Sequence, residues 1–138
     1  MNTYFQTTAK YIRVDENGKE QKVTENYLLP AIIFAEAETR IYKELQTIVS
    51  GEFLVTKISK TNISEVIPSL GDRYYKGKIA LVILDENTGK SKRIIQTVLV
   101  MADSVDQADE RIAEAFKGTT LGVEIVSVAE SNILEVFE

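Results

Sequence analysis

The stretch Arg73-Tyr74-Tyr75-Lys76-Gly77-Lys78 sets two aromatic rings among three cations. Single-stranded nucleic acid is bound by that mixture: bases stack on rings while ammonium and guanidinium groups meet phosphates. A hairpin would bring Lys92 and Arg93 into the same sheet. Strand alternation argues the other way. Tyr75 and Lys76 must point to opposite faces, which predicts a ring in the core and lysines in solvent.

A second constellation is Arg40 and Arg111. Each follows acidic residues on a predicted helix, Glu36 and Glu38 in one case and Asp106 and Asp109 in the other. Spacing of four sets Glu36 beside Arg40, so solvated helical ion pairs are the plainer expectation. The sharper one is a pair of arginines flanking an anion site.

Catalytic chemistry is hard to assemble here. The chain has no histidine and no cysteine, so the usual general base near neutral pH and the thiolate nucleophile are both missing. Neither glycine-rich phosphate-loop pattern occurs. The expectation is a protein that is not an enzyme and uses no cofactor or metal. Asp15-Glu16-Asn17-Gly18-Lys19 and Asp85-Glu86-Asn87-Thr88-Gly89-Lys90 have the look of cation loops. They lack the ligand ladder and closing glutamate of a calcium loop, and turn chemistry accounts for their residues. Asn62 with Glu65, and Asn132 with Glu135, predict backbone-satisfying roles near chain reversals.

These motifs come in pairs because the chain is a tandem repeat at an offset of 70 or 71. Residues 1–67 form the first copy, 68–73 a connector, and 74–138 the second. Each copy reads β-β-α-β. Phe5, Thr7, Ala9 and Tyr11 alternate with polar residues as a half-buried strand does. Phe34, Ala37, Ile41, Leu45 and Ile48 give a helical stripe over 34–49, with Gly51 after its end. Val105, Ala108, Ile112, Ala115 and Phe116 do the same in the second copy. Ser104 and Gln107 stand at capping-box spacing. The second hairpin is apolar on both faces, which predicts a central position or a covering partner. Segments 63–67 and 133–137 fit a helical turn or a short strand equally.

The fold class is therefore α+β, with an antiparallel or mixed sheet and two helices on one face. A half of about 70 residues buries only a marginal core, so one compact pseudo-twofold unit is expected. The 138 residues are 44% apolar and carry a net charge of −5. That balance disfavours nucleic acid and anionic membranes as partners. No leader or membrane-spanning run is visible in the sequence, which predicts a cytoplasmic protein.

Several segments carry a resemblance. They are Met1-Asn2-Thr3-Tyr4-Phe5, the Asp15–Lys19 turn, Ala35-Glu36-Ala37-Glu38-Thr39-Arg40-Ile41, Ser50-Gly51-Glu52-Phe53 and Glu135-Val136-Phe137. Together they resemble a family of small uncharacterised proteins from gut bacteria and their phages, grouped as a domain of unknown function. Phe5 stands where that family favours tryptophan. The resemblance implies a phage or mobile-element context and no activity. The leading expectation is a non-enzymatic binding module for a small anionic ligand, such as a nucleotide, or for a host protein. Single-stranded nucleic-acid binding is the first alternative, and a structural, homo-oligomeric role the second.

Overall fold

A computed structural model describes residues 3–119 and 122–138. Met1 and Asn2, which open the first repeat, lie outside the described residues. The described chain runs β1 (Thr3–Val14), β2 (Glu20–Ala31), α1 (Phe34–Ile48), β3 (Phe53–Lys60) and β4 (Ile63–Ile67). It then repeats the series as β5 (Arg73–Leu84), β6 (Ser91–Ala102), α2 (Val105–Ala115), β7 (Gly122–Glu130) and β8 (Ile133–Val136). The class is α+β. The pairing is mixed, and the strands divide into two four-stranded sheets of order β3-β1-β2-β8 and β4-β6-β5-β7. Each sheet has its own helix. Among the described residues no helix is long and apolar enough to cross a membrane.

The segment at 63–67 resolves as a strand, and so does 133–137 as far as Val136. Each leaves its own repeat: β4 pairs in parallel with β6, and β8 with β2. The compact units therefore cut across the repeats. One is residues 1–61 with 132–138, and the other is residues 62–131. The hairpins β1–β2 and β5–β6 are central in their sheets, so the central position expected of the apolar second hairpin holds for both.

Local chemistry explains the elements. At the first turn the Asp15 carboxylate accepts from the Asn17 and Lys19 amides at 2.9 and 2.8 Å, and Gly18 takes φ +78°. Asp85 and Gly89 reproduce the arrangement, with Asn87 donating at 2.9 Å. The repeated acidic motif is thus spent on its own backbone. Ser104 accepts from the Gln107 amide at 3.1 Å, and the Gln107 side chain accepts from the Asp103 amide at 2.8 Å. This reciprocal cap closes the start of α2. The start of α1 has Ile33 at the capping position and no side-chain cap.

Packing follows the predicted stripes at their centres, and at Phe116 beyond the end of α2. Ala37, Ile41 and Leu45 are buried against Phe5, Ala9, Tyr27 and Leu29. Phe34 and Ile48, at the ends of the stripe, stay about half exposed. In the other unit Ala108 and Ile112 meet Tyr75, Ile79, Val98 and Val100. Each fully buried Ile or Leu contributes about 1.5–3 kcal/mol. Gly77 lets α2 come close: a Cβ there would lie 2.4 Å from Ile112 Cδ1.

Candidate binding face

The arginines expected to pair with helical carboxylates, or to hold an anion, do something else. Arg40 donates to the carbonyl oxygen of Pro30 at 2.6 Å and to those of Phe137 and Glu138 at 3.4 and 3.2 Å. Arg111 donates to the Met101 carbonyl at 2.6 Å and to that of Leu70. Each guanidinium ties the end of its sheet's second strand to the chain just beyond the incoming terminal strand. A planar fork suits two carbonyls at once. Glu36 instead accepts from the Ile32 amide at 3.0 Å, near the start of α1. Among the described residues none of Glu36, Glu38, Asp106 and Asp109 makes an ion pair. Helical propinquity lost to carbonyls that no local spacing rule foresees.

The basic-aromatic stretch is split between two faces. Tyr75 is 2% exposed in the core under α2 and cannot offer its ring to a base. Tyr74, Lys76 and Lys78 lie on the opposite face. Tyr74 and Lys76 are partly buried and Lys78 is exposed. Arg73 is held by Asp72 at 3.2 Å and Glu130 at 3.4 Å. The hydrogen bond it donates to the Asp72 carboxylate does most to raise its pKa. Lys92 and Arg93 are exposed neighbours on β6 and so point to opposite faces. Arg93 reaches Glu124 at 3.5 Å.

One polar cluster was not read from the sequence. The Tyr11 and Tyr27 hydroxyls both donate to the Glu25 carboxylate, the second at 3.1 Å. Phe137 stacks on the Tyr27 ring, with centroids 5.3 Å apart. The hydrogen bond to Glu25 raises the Tyr11 pKa, and burial does most to raise that of Tyr27. The corresponding positions in the second unit are Leu81, Gln96 and Val98, by the register of its hairpin. Among the described residues no three acidic side chains group as a metal site.

The other feature missed is a groove of about 800 Å³ in the first unit, at the turn end of β1, β2 and the start of β3. Of its lining, Lys10, Ile12, Lys22, Thr24 and Leu54 stand on the sheet face away from α1, and Tyr11, Val23 and Phe53 alternate to the helix side. The register fixes their order. Lys10 lies between Leu54 on β3 and Thr24 on β2. One step along the face, Ile12 lies opposite Lys22. Lys10 and Lys22 are thus diagonal neighbours, roughly 7–8 Å apart at the backbone. Neither makes an ion pair among the described residues. Glu20 and Glu52 stand at the rim.

The second unit occupies the same grid differently. Ala80 takes the place of Lys10, Arg93 that of Lys22, and Glu124 that of Leu54. Its cation at the Lys22 position, Arg93, reaches across β5 to the Glu124 carboxylate. The first unit has two cations, and a leucine where the carboxylate would be. Alternation in 4–14 and comparison of the repeats carried this signal in the sequence.

The architecture is α+β, two mixed four-stranded sheets each with one helix among the described residues. The chain belongs to the family described as a domain of unknown function, DUF4494, which matches residues 3–138. No curated protein and no solved structure matches the chain.

Proposed function

We propose that the protein is a non-enzymatic binding module that holds a small anionic ligand on the helix-free face of its first sheet. The observation that carries this reading is the pair Lys10 and Lys22, diagonal in one groove and without ion-pair partners among the described residues, where the second unit has Ala80 and an Arg93 paired with Glu124. Two long cationic stems at that spacing reach one acidic group from two sides. Arg40 and Arg111 take no part, being engaged by carbonyls. Single-stranded nucleic acid is the poorer partner for this chain, since the core holds Tyr75 and the net charge is −5.

The resemblance to proteins of gut bacteria and their phages supports a phage-derived protein working in a bacterial cytoplasm as the setting. A thermal-shift and calorimetric screen of carboxylates, phosphates and nucleotides tests the reading. At least one anion raises the melting temperature, and Lys10→Glu and Lys22→Glu each weaken its binding several-fold. A flat response to every anion overturns the proposal.

A further inference from the structure

We infer that the ligand joins one anionic head to an aliphatic body; this rests on the anion-binding reading above and narrows it. The floor of the groove is aliphatic. Ile12 and Leu54 are 52% and 62% exposed, both on the β3 side of the lysine diagonal, with Thr24 across it. Large apolar side chains left open beside two cations without ion-pair partners among the described residues suit a partner that is apolar at one end and acidic at the other.

Tyr11 and Phe53 are among the lining residues, but strand alternation sends both rings to the helix side. Tyr11 points to the helix side, where its hydroxyl engages Glu25. Phe53 packs beneath α1, its ring centroid 5.7 Å from that of Tyr42. Tyr4 shares the groove's face but lies six residues along β1, about 20 Å away at strand rise. A nucleobase would find no ring to stack on. Aliphatic chains ask only for aliphatic contact, which Ile12 and Leu54 supply.

The carboxylates at the rim set the number of heads. Glu52 lines the groove just before β3, and Glu20 pairs across from Val14. Both repel a polyphosphate, so the acidic region of the ligand is confined to the Lys10–Lys22 diagonal. A single carboxylate or phosphate fits that confinement, with the alkyl body running over Ile12 and Leu54.

Calorimetry on the full chain, with ligands below their micelle concentrations, tests this. Decanoate and decyl phosphate are expected to bind, and the tighter of the two identifies the head. Butyrate and inorganic phosphate should bind at least tenfold more weakly. Leu54→Ser should weaken the decyl ligands about tenfold, and Lys22→Glu several-fold. Both positions are exposed, so circular dichroism should be unchanged. Binding of AMP or ATP without binding of the decyl anions overturns the aliphatic inference and leaves the anion reading standing. Equal binding of uncharged decanol overturns both, as does silence from every anion. Decyl binding indifferent to both variants means adsorption elsewhere and overturns the inference.

Discussion

The Arg40 guanidinium donates to the carbonyl oxygen of Pro30 at 2.6 Å, bridging from α1 to the end of β2 ten residues earlier. The same side chain reaches the carbonyls of Phe137 and Glu138, so three chain segments meet at one cation. Arg40→Ala should cost about 1.5–3 kcal/mol, the range for hydrogen bonds to a charged group. Arg40→Lys should recover only part of it, because an ammonium lacks the fork. Urea denaturation checks both, and Arg111→Ala should behave alike through Met101 and Leu70.

Close backbone approach separates two glycines. A Cβ at Gly71 would sit 2.5 Å from the Ala102 nitrogen, which is backbone and cannot swing aside. At Gly77 the obstacle is the tip of Ile112. Gly71→Ala should therefore destabilise more than Gly77→Ala, which should lose about 1–3 kcal/mol by overpacking. Adding Ile112→Val should restore stability to Gly77→Ala and do nothing for Gly71→Ala.

The uncapped start of α1 offers a gain. Ile33 is 59% exposed at the capping position, where α2 has Ser104. Ile33→Ser should raise stability by about 0.5–2 kcal/mol, and Ser104→Ala should lower it by as much. Thermal melts of the two variants should shift in opposite directions.

Alkaline pH should act through Tyr11 and Tyr27. Both pKa values are raised in the folded chain from the ordinary 10.0. The unfolded chain thus loses these protons first as pH rises. The stabilisation is complete below about pH 10 and declines as pH climbs toward the folded values. Denaturation midpoints at pH 8.5 and 11 should reveal the loss, and Tyr27→Phe should flatten it.

Much of the fold could be read in the residues. Alternation in 4–14, the glycines at 18 and 89, and the Ser104–Gln107 spacing are local signals that report local structure. The destination of β4 and β8 is not local. Apolar residues at 63, 66 and 67 mark a buried segment but say nothing about which hairpin it joins. The arginines misled for a related reason. Glu36 lies one turn from Arg40, yet the carbonyls that win lie on other segments, one of them 98 residues away. Lys10 and Lys22 look ordinary one at a time, and acquire meaning only when pairing sets them on one face.

The parallel strand β8 carries a consequence for the order in which the protein can mature. The sheet of β4, β5, β6 and β7 has all its strands once residue 130 has been made. The sheet begun by β1 must wait for Val136. Synthesis runs from the N-terminus, and domains generally fold in that order. Here the half that emerges first finishes last, and a ribosome stalled a few codons short would release a chain with its newer sheet whole and its older one still open along β2.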